Sequence, residues 1–433
     1  MYSGLMPVKA GDLSRQLFFI FQPTTGPPVD TITIWLNGGP GCSSLEGFFQ
    51  ENGRFVWHDG QPAPTLNDHS WVNITNMLWV EQPIGTGFTV GTPTATSEED
   101  IANDFVGFFR NFQETFGIKN FKIYAAGESY AGRYVSYISS AFLDQKDKSL
   151  FDLKGALVYD PCIGAYDTVQ QQVPVVPFVK ANNDLFGFDQ GDISNLEQVH
   201  ESCGYEGFLD KYLKFPPAGL QPAYVSPASS SCDLFTRIQY AALAKNRCFD
   251  IYMINKTCPR GLEVMKPSES KPSYFDRADV KAALNVPASS TWALCSEEGA
   301  FVGSGGPYKN GDFSADPIQA ILPKVVEATK RVLVANGNYD MIILTNGTLL
   351  AIQNMTWGGS LGFQNAPATP IDIPGRSSPA GIQHYERGLM WSEGFKTGHM
   401  VLPRAQHLRL LAVIKTMAAV PFAPHLEPST DSL

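Results

Sequence analysis

A serine hydroxyl becomes a useful nucleophile only when a base takes its proton and the backbone lifts it clear of its surroundings. Ser129 stands in Gly127-Glu128-Ser129-Tyr130-Ala131-Gly132, between an apolar β-type run and a helical one. The small residues on either side allow a tight strand-to-helix turn, the arrangement of a G-x-S-x-G nucleophile elbow. Ala131 stands where the strict pattern has Gly, so the motif by itself also suits an ordinary buried turn. The order Ser, then Asp or Glu, then His restricts its partners independently. Of the seven histidines, His58 and His69 precede Ser129, and His200 opens HESCG, which is not the zinc pattern H-E-x-x-H. His384, His407 and His425 sit among polar or helical residues. His399, in TGHMVLP, lies in a loop between an expected strand and an expected terminal helix, where a base can reach over a sheet. Asp340 closes RVLVANGNYD, at the carboxyl end of a strand, where α/β sheets carry their functional loops. Taken singly, Asp340 suits a helix N-cap and His399 a satisfied core position.

Acyl transfer also needs amide N–H groups aimed at the developing oxyanion, each contributing on the order of 3 kcal/mol. Asn37-Gly38-Gly39-Pro40-Gly41 offers a loop whose glycines let the backbone approach a carbonyl closely, and the Tyr130 N–H follows the nucleophile directly. A phosphate cradle is the rival reading, but this loop lacks the Lys and Ser/Thr of a P-loop.

The elements that must position these groups are visible in the pattern. Residues 31–36, TITIWL, read as a buried strand ending in the glycine loop, and a second buried strand is expected over residues 77–81. From Ile101 the period turns helical, with Ile101, Phe105, Phe108, Phe112 and Phe116 on one stripe behind a Thr96 to Glu99 capping box. Residues 121–126 read as strand and 130–143 as helix, with further strands at 155–159 and 331–335. Alternating strands and helices predict a mostly parallel sheet, an α/β-hydrolase fold with an inserted cap subdomain. The expected division is a core over 1–164 and 271–433, interrupted by an irregular, Pro/Ser-rich cap over 165–270 that holds four cysteines.

The composition, 43% hydrophobic and 17% charged over 433 residues, suits a folded globule. A net charge of -10 argues against a nucleic-acid partner. The apolar stretch 408–420 is interrupted by Arg409 and Lys415, is too short to span a bilayer, and reads as a buried helix. MYSGLMPVKA has no apolar signal core, so the chain reads as a mature or trimmed form. Four N-x-[ST] triplets, at Asn73, Asn255, Asn346 and Asn354, and seven cysteines without a C-x-x-C pair suit glycosylation and an oxidising compartment rather than zinc. No metal or cofactor is expected.

WLNGGPGCSS at 35–44, VEQPIGTGF at 80–88, GESYAG at 127–132 and GHMV at 398–401 resemble the serine carboxypeptidases, and the similarity runs from YSG at 2–4 through YFDRADVKAALNV at 274–286. The resemblance is to secreted or vacuolar fungal-type members. It implies a triad of Ser129, Asp340 and His399, an oxyanion hole from Gly39 and Tyr130, and release of single C-terminal residues from peptides. It places the free α-carboxylate of the substrate on Asn37, Gly38, Glu51 and Glu128. Two glutamates facing a carboxylate must share a proton, so the resemblance implies an acidic working pH. Glu46, Gln50 and Met400 correspond to the leaving-group pocket, where an acid favours C-terminal Lys or Arg, and Leu402 lengthens the turn that follows. The resemblance pairs Cys42 with Cys295. Proximity in sequence suggests Cys203 with Cys232 and Cys248 with Cys258, leaving Cys162 as a buried thiol. An acyltransferase or esterase on the same triad, and an inactive member kept for binding, remain as alternative readings.

Overall fold

The computed structural model describes residues 1–58, 61–223, 230–258, 265, 273–306 and 310–400. The stretch 408–420 and Leu402 lie outside these residues. Ten strands form one sheet: β1 (Tyr2–Pro7), β2 (Gln16–Gln22), β3 (Thr31–Leu36), β4 (Asn76–Glu81), β5 (Lys122–Glu128), β6 (Asp152–Tyr159), β7 (Val332–Gly337), β8 (Thr369–Ile371), β9 (Gly381–Glu386) and β10 (Leu389–Gly394). Their spatial order is β1-β2-β4-β3-β5-β6-β7-β10-β9-β8. The six central strands, from β4 to β10 in that order, run parallel, and antiparallel strands flank them on both edges. Every residue of β4 and β7 is buried, as expected for parallel strands covered on both faces.

Helix α1 (Leu45–Gln50) follows the glycine loop on one face, where Leu45 and Phe48 join Trp35, Trp71, Trp79 and Trp292 in a core. Helices α2 (Glu98–Phe116) and α3 (Ala131–Gln145) cover the other face, with Phe105, Phe108, Phe109 and Phe112 packed on Phe19, Ile34 and Val158. The aromatic stripe read from the sequence is the buried stripe of α2, but its start is displaced by one residue. Ser97 is the N-cap and accepts from the Asp100 N–H, while Thr96 bonds to the Asp100 carboxylate. The expected Thr96 to Glu99 box therefore does not form, because Glu99 is the second residue of the helix rather than the third.

The segment after β6 departs further from expectation. Where an irregular cap over 165–270 was expected, the described residues form a π-helical turn (Tyr166–Gln172) and helices α4 (Val175–Ala181), α5 (Gln190–Ser202), α6 (Tyr205–Tyr212) and α7 (Leu234–Lys245). Short amphipathic stretches separated by Gly and Pro blur the helical period, and tertiary burial decides them. Val173, Val176, Phe186, Tyr205 and Ile238 form their core together with Met341, Leu344 and Leu350, which follow β7. Disulfides join Cys203 to Cys232 and Cys248 to Cys258, and Cys162 is a buried free thiol. A further helix, α8 (Ile321–Thr329), adds Leu322, Val325 and Val326 to the core on the α2 face and leads into β7. Asn73, Asn255 and Asn346 are exposed, whereas Asn354 is half-buried and its Oδ1 accepts the Gln221 N–H at 2.8 Å.

Candidate active site

Ser129 directly follows β5 with φ 62°, a left-handed conformation that few non-glycine residues adopt. Such strain is held only where neighbouring structure over-determines it, and here the end of β6 and the loop after it hold the residue on both sides. The Ser129 N–H donates to Tyr159 O at 2.8 Å, and Ser129 O accepts from the Cys162 N–H at 3.0 Å. Ala131 is fully buried, and a Cβ at Gly127 would lie 2.7 Å from the Ala131 Cβ. The elbow therefore tolerates Ala at its fifth position because Gly127 leaves room for it.

Gly38 runs directly against this turn. A Cβ there would meet Tyr130 N at 2.5 Å and the Ser129 Cβ at 2.8 Å, so only glycine allows the approach. Gly39 has φ 114°, and a Cβ on it would meet Cys42 N at 2.7 Å. The loop is tied on its far side by the disulfide Cys42–Cys295 and by the Ser43 N–H to Leu294 O and Ser296 N–H to Gly41 O hydrogen bonds. The Tyr130 side chain is anchored from below. Its hydroxyl donates to Asp312 Oδ2 at 2.6 Å, and Arg133 Nε donates to the same oxygen at 2.9 Å in a fully buried ion pair. Glu98 lies in this cluster, and burial, then the Asp312 charge, pushes its carboxyl well above the ordinary range.

Asp340 and His399 meet although they are far apart in sequence. His399 Nδ1 is 2.7 Å from Asp340 Oδ2, and both residues are buried. Asp340 also accepts the Ile342 N–H at 2.7 Å and the Ile343 N–H at 3.2 Å, so an N-cap-like turn and an imidazole contact coexist on one carboxylate. Burial raises the Asp340 pKa, and the His399 charge and hydrogen bond pull it back. The His399 N–H donates to Tyr252 O at 2.7 Å, and the Tyr252 ring lies 5.1 Å from the imidazole. Gly337 lets this loop cross the end of β7, since a Cβ there would lie 2.3 Å from Gly398 O.

On the other side of the elbow, Asn37 is 2% exposed and is held by four contacts. Its Oδ1 accepts from Trp35 Nε1 and the Gly47 N–H, its N–H donates to Ser44 Oγ, and its Nδ2 donates to Glu128 Oε1 at 2.9 Å. Glu51 and Glu128 are both buried. Among the described residues no N–H or O–H reaches Glu51 Oε1, Glu51 Oε2 or Glu128 Oε2. Burial, then the charge of Glu46, pushes Glu51 up to about 8. Burial, then Glu51 and Glu46, carries Glu128 well above the usual range. Glu46 on α1 is thus close enough to act on both, while Gln50 on the same helix and Met400 beside His399 are half-buried.

Several groups at the site escaped the sequence reading: Asp160, Tyr252, Arg133, Asp312 and Glu98. A charged residue inside the apolar stretch GALVYDPCIG was the one available signal for Asp160.

A family model described as serine carboxypeptidase matches residues 1–418. The chain is 58% identical over 427 residues to the serine-type carboxypeptidase F of Aspergillus niger, covering 92% of this chain and 80% of that protein. It is 39% identical over 409 residues to a carboxypeptidase Y homolog of Arthroderma benhamiae, covering 92% and 80%. The crystal structure of Kex1(delta)p, a prohormone-processing carboxypeptidase from Saccharomyces cerevisiae, shares the fold with a TM-score of 0.73 at 23% identity, over 96% of this chain and 90% of that one. With a family match across nearly its whole length and relatives at these identities, the chain belongs to the serine carboxypeptidase family and is a serine-type carboxypeptidase.

Proposed function

We propose that Ser129 attacks the carbonyl of the last peptide bond of a substrate while His399 takes the hydroxyl proton, forming an acyl-enzyme and releasing one C-terminal residue. Asp340 holds the imidazole by Nδ1 and stabilises its cation, and His399 then returns the proton to the leaving amine. The N–H groups of Gly39 and Tyr130 receive the oxyanion, with the N-terminus of α3 adding its dipole. Water repeats the sequence to free the acyl group.

The observation that carries the exopeptidase reading is the buried Glu51 and Glu128 pair beside the nucleophile, three of whose four oxygens meet no donor among the described residues. A carboxyl in that position is useful to an anionic ligand only as a protonated acid, which donates a hydrogen bond instead of repelling. Asn37, the Gly38 N–H, Glu51 and Glu128 would hold the free α-carboxylate of the departing residue. Loss of the shared proton as pH rises then weakens binding, which makes the enzyme acid-active. Glu46, Gln50 and Met400 line the side-chain pocket of the departing residue, and Glu46 selects for Lys or Arg there. The helical region within 165–270 serves as a cap over the site, and the three disulfides and exposed sequons at Asn73, Asn255 and Asn346 suit an oxidising, acidic secreted or vacuolar compartment.

Mass spectrometry of free and C-terminally amidated peptides at about pH 5 tests this reading. Stepwise loss of C-terminal residues from the free peptides alone, abolished by Ser129→Ala, is the expected result. Internal cleavage of the amidated peptides would overturn it. Paired peptides ending in Lys and Leu test the pocket, and a clear Leu preference removes the role given to Glu46.

A further inference from the structure

Asp160 is fully buried, directly after β6, with φ 41°. It is the second strained non-glycine residue at this edge of the sheet, one strand over from Ser129. Its N–H donates to Ala335 O on β7 at 2.7 Å, and its Oδ1 accepts the Gly337 N–H at 3.0 Å and Asn336 Nδ2 at 3.2 Å. Oδ2 is buried and meets no N–H or O–H donor among the described residues. The Asp160 carboxyl lies against the catalytic acid: one ligand-type atom each of Asp160, Asp340 and His399 lie within 4.8 Å of one another.

Three donors already serve the Asp340 carboxylate, from Ile342, Ile343 and His399, out of about four lone-pair positions. Two adjacent ionised carboxylates in a buried site repel strongly, so one of them holds a proton. Asp340 has the imidazole and two amides to stabilise its charge, whereas Asp160 Oδ2 has no donor. The proton therefore belongs on Asp160. A cation on this trio would have to displace the hydrogen bond between His399 Nδ1 and Asp340, which the triad needs.

We propose that Asp160 is a positioning residue of the catalytic apparatus, its neutral carboxyl donating from Oδ2 to Asp340 while its Oδ1 braces the end of β7. It acts on the reaction through Asp340 and rests on the triad reading given above. The donated hydrogen bond draws charge from Asp340 and so limits how strongly that carboxylate attracts an imidazolium form of its partner. The same loop holds the nucleophile, because Tyr159 and Cys162, on either side of Asp160, bond the backbone of Ser129. Nucleophile and acid are thus positioned by one four-residue stretch. The groups that face Asp160 agree with a held proton: burial and then the Asp340 charge push its carboxyl well above the ordinary range, against the Gly337 and Asn336 donors. Glu128 on β5, whose own carboxyl is raised in part by the Asp160 charge, also lies well above the ordinary range, and Cys162 beside Asp160 is a buried thiol pushed up by burial.

The test uses the whole enzyme with Asp160→Asn, Asp160→Ala and Ser129→Ala. Asparagine keeps both the Oδ1 acceptor and a donor toward Asp340. Asp160→Asn is expected to retain kcat within about threefold and to leave the acid limb of kcat/KM in place. Its infrared spectrum should lack one protonated-carboxyl band present in the parent. Asp160→Ala, which removes the donor, should move that limb upward by about one pH unit, a tenfold change in kcat/KM at a fixed acid pH. An unchanged carboxyl band in Asp160→Asn means that Asp160 is ionised and overturns the proposal. So does an unmoved limb in Asp160→Ala accompanied only by a lower Tm, the result of a merely structural brace. Activity retained by Ser129→Ala would sink the triad reading instead, and the infrared result would still report on Asp160.

Discussion

Two pairs of buried acids flank Ser129, and they are solvated differently. Asp340 has an imidazole and two backbone amides on its oxygens. Glu51 and Glu128 have the single amide of Asn37, and after burial the largest influences on both are other carboxylates. The first environment offsets more of the cost of a buried charge than the second does. One pair therefore suits stabilising a cationic imidazole during catalysis, and the other suits receiving an anionic ligand. If so, pH and mutation should act on kcat through one pair and on KM through the other.

The largest break in that division comes from Asp340→Asn, which leaves the His399 contact in place with the wrong tautomer. A fall in kcat on the order of 10⁴, with KM nearly unchanged, is expected in steady-state assays of a blocked dipeptide substrate. A comparable rise in KM would show that the two regions are not separable.

Removing the second pair should do the reverse. Glu51→Ala with Glu128→Ala deletes hydrogen bonds to a charged ligand, each contributing about 1.5–3 kcal/mol, so KM should rise at least tenfold while kcat on the same substrate changes far less. The subtler substitution to Gln keeps a donor without a titrating proton. KM of the parent should rise as pH increases through about 8, the value to which Glu51 is pushed, whereas Glu51→Gln with Glu128→Gln should flatten that profile.

The smallest expected effect is on stability. Glu51 and Glu81 have folded pKa values near 8 and 7, raised by burial above the ordinary 4.5. The folded state then binds more protons than the unfolded chain, so the contribution of these acids is complete below about pH 4.5 and is lost as pH rises through their folded values. Calorimetry from pH 5 to 8 should show a falling Tm, with a shallower slope in Glu51→Gln. A Tm that climbs over the same range would contradict the protonated state assigned to the pair.

Much of this arrangement is local in origin and is therefore legible in the sequence alone. The GESYAG turn, the glycine loop and the order of Asp340 and His399 depend on residue type and spacing along the chain. So does the aromatic stripe of α2, although a one-residue shift of its cap, from Thr96 to Ser97, is finer than pattern alone resolves. The helices between residues 165 and 245 are not legible, because their apolar faces are short and are completed by residues after β7 such as Met341 and Leu350. Asp160 is equally silent. Its partner Asn336 is 176 residues away, and nothing next to it in the chain announces an acid that faces another acid.

The sequence by itself thus determined which groups could do acyl-transfer chemistry, since reactivity and backbone freedom are properties of residue types and short spacings. Only the tertiary structure decided which of the acids can stay ionised. That choice depends on burial and on donors arriving from distant strands, and it separates Asp340, held by His399, from Asp160, Glu51 and Glu128, whose buried oxygens face other carboxyls.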